Sequence, residues 1–105
     1  MILEKYPLKF KRDSLVEFSS FLFDMIDDLK PDTLECKLIT ASLKEVFIKV
    51  EKKKVENREK TTITLTQVQA IAYYCVLRKI SGWQKATGYR AILASKHYME
   101  LGASI

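Results

Sequence analysis

The sequence predicts a helix-rich α+β fold: two short strands with four helical segments packed around them. Three observations carry this. Leu8 to Lys11 and Thr61 to Thr66 alternate apolar and polar residues, the period of a half-buried strand. Longer stretches repeat apolar residues at steps of three and four, the period of a helix face. The chain has only three Gly and two Pro, so breakers are few and well separated. The strands fall at about 6–11 and 61–66 and pair with each other, the simplest way for two short strands to satisfy their backbone groups. An all-α bundle is the alternative.

The first strand, Tyr6 to Arg12, sets Leu8 and Phe10 against Lys9 and Lys11. Pro7 suits an edge or a strand start, because it has no N–H to give to a ladder. Asp13 then offers an N-cap oxygen to a helix from about Ser14 to Leu29. Its apolar stripe is Leu15, Phe18, Leu22, Met25, Ile26 and Leu29, widened by Phe21 and Phe23. Lys30-Pro31 ends it, because the residue before Pro is pushed out of the α region.

Asp32 and Glu35 are spaced as a cap and its reciprocal acid. The second helix carries Ile39, Leu43, Val46 or Phe47, and Val50 on one face and runs to about Lys54. Glu45 and Lys49 are spaced as an i,i+4 ion pair. Residues 46–51 also alternate and could form a strand, but the helical period holds over a longer stretch. Thr61 to Thr66 is the clearest strand in the chain, β-branched and strictly alternating. Thr66 and Gln69 form a capping box. The third helix turns Val68, Ile71, Ala72, Cys75, Val76 and Ile80 inward and stops at Ser81-Gly82. A last helix, interrupted or not at Gly88, covers much of 83–101, with Tyr89, Ile92, Leu93 and Leu101 on its period.

The 105 residues make one small domain. Each strand runs almost directly into a capped helix that a second helical segment follows, so two strand–helix–helix halves, 1–54 and 61–101, are expected. Their side chains differ too much to claim a duplication. No apolar run approaches the ~20 residues of a membrane span. The first twelve residues mix acid and base, unlike a secretory leader. The expected location is therefore the cytoplasm, with Cys36 and Cys75 as reduced, buried thiols.

Catalytic and cofactor patterns are missing. The chain has one histidine, His97, whose only acidic neighbour is Glu100. It reads as a surface or rim residue, not as a proton shuttle. There is no Cys-x-x-Cys, no phosphate-cradling Gly loop and no nucleophile elbow. Asp24, Asp27 and Asp28 cluster on the first helix and read as an exposed acidic patch in preference to a cation site. No catalytic residue, metal site, cofactor or small-molecule substrate is expected.

Binding remains. The net charge is +5, with 18 Lys and Arg against 13 Asp and Glu. Residues 1–48 are net −2, residues 49–65 net +3 and residues 66–105 net +4. This asymmetry suits a polyanionic partner or head-to-tail self-association. The leading expectation is a non-enzymatic assembly or regulatory module, a homodimer or one with another protein partner. Phe18, Phe21, Phe23, Trp83 and Tyr89 are its interface residues, because Phe on several faces of one helix demands a second cover and Trp and Tyr favour interface hot spots. The alternative is a small DNA- or RNA-binding protein that uses Arg78, Lys79, Lys85, Arg90 and Lys96 among aromatics. The run KVEKKKVENREK, residues 49–60, holds six bases but three Glu, and reads as a solvated helix end and connector.

Overall fold

The computed structural model describes residues 5–30, 32–79 and 88–104. Its elements in chain order are β1 (Lys5–Lys11), α1 (Arg12–Asp28), α2 (Leu34–Glu56), β2 (Lys60–Thr66), α3 (Gln67–Lys79) and α4 (Tyr89–Ser104). The strands pair antiparallel as a two-stranded ribbon, Lys5 opposite Thr66 and Lys11 opposite Lys60. The fold is thus helix-rich α+β, and the all-α alternative is excluded.

Alternation decides which side of the ribbon is dry. Tyr6, Leu8 and Phe10 of β1 and Thr61, Ile63 and Leu65 of β2 are buried, while every residue between them is exposed. The inner side chains meet Leu15, Phe18, Phe21, Leu22 and Met25 of α1 and Ile39, Leu43, Val46 and Val50 of α2 in one core. Ala70, Ala72, Tyr73, Val76 and Leu77 of α3 and Leu93, Ala94 and Leu101 of α4 complete it.

Both strands enter their helices with no spacer. At the first junction the N-cap position is Lys11, with no side-chain cap bond. Asp13, expected as the cap, instead lies in the first turn of α1, where its carboxylate meets the positive end of the helix dipole. At the second junction the capping box forms as expected. The Gln69 amide donates to Thr66 Oγ1 at 3.3 Å, and the Thr66 amide donates to Gln69 Oε1 at 3.1 Å. The cap of α2 is Thr33, not Asp32: its Oγ1 accepts from the Cys36 amide at 3.1 Å. Residues 46–51 are helical, with Val46 and Val50 buried and Ile48 half exposed. The helix closes at Asn57, in the left-handed region at φ 51°, which Asn tolerates better than most residues.

Gln69 also binds α2 to this junction. Lys49 Nζ donates to Gln69 Oε1 at 2.8 Å and to the Thr64 carbonyl at 2.9 Å, and Gln69 Nε2 donates to Glu45 at 3.2 Å. Glu45 and Lys49, expected as a mutual pair, therefore converge on one buried amide, which satisfies both of its polar ends.

The inner face of α3 differs from expectation. Val68 and Ile71 are 56% and 42% exposed and Cys75 is half-buried, while Gln69, Ala70, Tyr73 and Leu77 join Ala72 and Val76 inside. Because β2 runs into α3 without a spacer, the phase of the strand sets the rotation of the helix. Ile80, Ser81 and Gly82 lie outside the described residues. Gly88 has φ 57°, so α4 starts after it and does not run through it.

The elements repeat at a fixed interval. β2, α3 and α4 begin at Lys60, Gln67 and Tyr89, each 55 residues after Lys5, Arg12 and Leu34. The ribbon register obeys the same shift: Leu8 faces Ile63, its own counterpart. Phe18 and Tyr73 are counterparts as well, both wholly buried, with ring centroids 5.6 Å apart. The ribbon register is thus two-fold symmetric about the Leu8–Ile63 pair, and the same order of strand, helix and helix follows on each side.

Candidate nucleic-acid interface

The outer side of the ribbon is the most distinctive surface among the described residues. It presents Lys5, Pro7, Lys9 and Lys11 on one strand and Lys60, Thr62, Thr64 and Thr66 on the other, all exposed. Four bases, three hydroxyls and no acid share one face. Lys9 stands opposite Thr62, and Lys11 stands opposite Lys60. Two like charges directly across a ribbon repel each other, a cost that a bound anion would remove.

Around the Lys60 end the turn 57–59 is tied back to the start of α1. Arg12 Nη2 donates to the Asn57 carbonyl at 3.1 Å, and the Arg12 amide donates to the Glu59 carbonyl at 3.0 Å. Beside this turn lies a cleft of about 430 Å³ lined by Lys9, Lys53, Arg58, Lys60, Thr61 and Thr62. Three of its four bases come from the 49–60 run, which the sequence alone presents as a plain connector.

The structure scatters the residues singled out from the sequence. Phe18 and Phe21 have no exposed surface. They are core residues of this chain and cannot form part of an interface. The core is deep enough for them because α1 is covered by the ribbon and by α2 and α4 together. Phe23 is 59% exposed and packs loosely on Phe47, with centroids 6.2 Å apart. Tyr89 is half exposed, its hydroxyl 2.5 Å from Ser14 Oγ. Trp83 and Lys85 lie outside the described residues. Arg78 and Lys79 sit exposed at the end of α3, and Lys96 is exposed on α4.

Arg90 is not a free base. Its Nε donates to Glu17 at 3.1 Å, its Nη2 to Ser20 at 2.7 Å and its Nη1 to Asp24. Burial works against its charge, but the hydrogen bonds and fields of Asp24 and Glu17 more than offset this and raise its pKa above the ordinary value. Arg90 is therefore an internal clamp of α4 on α1. The acidic patch expected at Asp24, Asp27 and Asp28 loses Asp24 to that clamp. No group of three or more His, Cys, Asp or Glu able to hold a metal ion occurs among the described residues.

His97 is the main surprise. It is 1% exposed, its Nδ1 lies 2.6 Å from the Tyr73 hydroxyl, and its ring meets Phe10 and Phe18 edge-on at 5.3 Å. Burial, helped by the charge of Lys96, lowers its pKa to about 4. It is a neutral core residue, not a rim histidine. Burial also raises the Tyr73 pKa well above its ordinary value, with a further push from Glu100, so at neutral pH this contact joins two uncharged groups.

One further surface is apolar. Leu38, Ile39, Val68, Ile71, Ala72 and Cys75, with Glu35 at its rim, line a groove of about 290 Å³ between α2 and α3. Leu34 beside it is 84% exposed. No helix of the described residues is long and apolar enough to cross a membrane. No family model, no curated protein and no solved structure matches this chain.

Proposed function

We propose that this protein is a duplex DNA-binding module, without catalytic activity, that lays the outer face of the β1–β2 ribbon into the major groove. One observation carries the reading: an exposed two-stranded ribbon bears four lysines and three threonines and no acid. The major groove of B-DNA admits a two-stranded β-ribbon, whereas the deep, narrow major groove of A-form RNA does not. Lysine ammonium groups supply the phosphate attraction, and Lys and Thr side chains both reach base edges. Backing by a full apolar core holds the strands rigid, so little order is left to gain on binding.

Fluorescence anisotropy with a short DNA duplex tests this. Affinity should fall steeply with salt, with a slope of about 0.9 for each phosphate neutralised. Changing Lys5, Lys9 and Lys11 together to Ala should weaken binding by at least about tenfold, at about 1.4 kcal/mol per decade, while changing Arg78 and Lys79 to Ala should have a much smaller effect. Failure of the wild-type protein to bind any duplex at low salt would exclude the reading.

The apolar groove supports a second reading, association with another copy of the chain. A net charge of −2 over residues 1–48 against +4 over residues 66–105 favours one copy meeting another. Light scattering at micromolar concentration should then report two chains, and Leu38→Lys should return the mass to one.

A further inference from the structure

We infer that the cleft at the edge of the ribbon, between the end of α2 and the start of β2, is a seat for a phosphate group and shares Lys9, Lys60 and Thr62 with the groove-facing surface. The inference rests on the DNA-binding reading for the source of that phosphate. Lys53 comes from the last turns of α2, Arg58 from the turn, Lys60 and Thr62 from β2, and Lys9 from β1. Residues from three elements and their connecting turn therefore converge on one hollow.

Their charges are poorly balanced. Glu56 is the only acid in ion-pair contact with Lys53 or Arg58 among the described residues, at 3.4 and 3.5 Å. One carboxylate thus serves two bases, and Lys60 faces Lys11 across the ribbon. Arg58 remains 68% exposed, so its guanidinium fork is open to a two-point contact with phosphate oxygens. Thr61 borders the cleft but turns its side chain to the core side of the ribbon, so the seat is made by Lys9, Lys53, Arg58, Lys60 and Thr62. The left-handed Asn57 and the two Arg12 backbone contacts hold the turn in place, so the seat exists before the anion arrives.

A phosphate of the DNA backbone and free inorganic phosphate share this chemistry, and one pair of measurements separates them. The double variant Lys53→Ala, Arg58→Ala of the full chain is titrated with duplex DNA over a range of salt. The expected result is affinity lowered about equally for unrelated sequences, and a salt slope reduced by about 1 to 2. The single variant Arg58→Lys, which keeps the charge but loses the fork, should fall in between. In parallel, amide NMR follows wild type and double variant as inorganic phosphate is added. If the wild type binds no DNA but phosphate shifts the amides of 58–62, and the double variant abolishes those shifts, the seat stands as a free-anion site and the DNA reading fails. If DNA binds but the double variant matches wild type in affinity and slope, and phosphate moves no amide of 58–62, the seat is refuted while the DNA reading survives. Circular dichroism melting of both variants controls for folding, and both changes are at accessible positions.

Discussion

The two halves of the molecule place their helices at matching positions but join them to each other by different means. Where α2 of the first half meets α3 of the second, Gln69 ties one end of the seam to Glu45 and Lys49, while the groove along the rest is apolar and partly open and Leu34 and Leu38 stand well out in solvent. At the equivalent seam between α4 and α1, Arg90 occupies the place of Glu35 and closes the contact through Glu17, Ser20 and Asp24. The centre between the halves is uneven too. Ser42 of α2 and His97 of α4 are counterparts, both buried, but only His97 brings a ring, which meets Phe10 and Phe18 edge-on. The lesson is that a repeated backbone framework needs little side-chain identity. It needs strands of matched register, junctions of matched length and a filled centre, and different chemistry can meet each requirement.

The most severe way to break this comparison is to empty its centre. Phe18→Ala removes a wholly buried ring that stacks on Phe10 at 4.7 Å and touches its counterpart Tyr73. Loss of a buried Phe costs about 3–5 kcal/mol, so urea unfolding at neutral pH should show a much lower midpoint or no folded baseline.

His97 gives the next effect, and it has a sign. Its folded-state pKa, about 4, lies below its ordinary value of 6.5. As pH falls, the unfolded chain takes up this proton first. The contribution is therefore intact above about pH 6.5, is lost progressively below that, and levels off near pH 4. At about 1.4 kcal/mol per unit the full loss is on the order of 3 kcal/mol. Urea midpoints measured between pH 7 and 4.5 should fall, and His97→Phe should flatten that fall. Glu51 acts lower down the scale. The hydrogen bond from Ser19 lowers its pKa below 4.5, and Lys54 adds to this against a partial opposition from burial. Its loss therefore begins in a more acid range.

The smallest expected effect sharpens the contrast between the two seams. Arg90→Met should cost about 1–2 kcal/mol, a modest figure because Glu17 and Asp24 keep access to water. At the open seam, Leu38→Ala should stay within about 0.5 kcal/mol, as expected for a largely exposed side chain. Equal costs at the two seams, read as shifts in thermal midpoint, would show that the clamp adds nothing the apolar contact lacks.

Much of the fold was legible in the sequence because its signals were local. Leu8, Phe10, Ile63 and Leu65 alternate cleanly with polar residues, and one period can bury only one set. Thr66 and Gln69 marked a helix start because the box depends on spacing alone. The first two helices declared themselves by a sustained 3.6-residue period, which also resolved 46–51 as helix. The third did not, because α3 is apolar on more than one side and its period fits two rotations. Asp13 and Asp32 are sound cap residues in isolation, but the strand junction and Thr33 took those places.

The candidate site was far less legible. Lys5, Lys9 and Lys11 look like ordinary solubilising residues until β2 brings Lys60, Thr62, Thr64 and Thr66 alongside them. The 49–60 run, with three Glu among six bases, reads as self-neutralising along the chain. Only the turn at Asn57 carries Arg58 and Lys60 round to Lys53 and Lys9. Arg90 looked available for phosphate until α1 supplied two carboxylates, and His97 looked exposed until Tyr73 covered it.

The sequence by itself determined which residues form strands, where most helices begin, and that a basic, helix-rich chain would result, because propensity, capping and periodicity act over a few neighbours. The tertiary structure alone decided the burial of His97, the capture of Arg90 and the gathering of lysines on one face. Each of these depends on groups 20 or more positions apart meeting in space, and short-range patterning carries no information about such meetings.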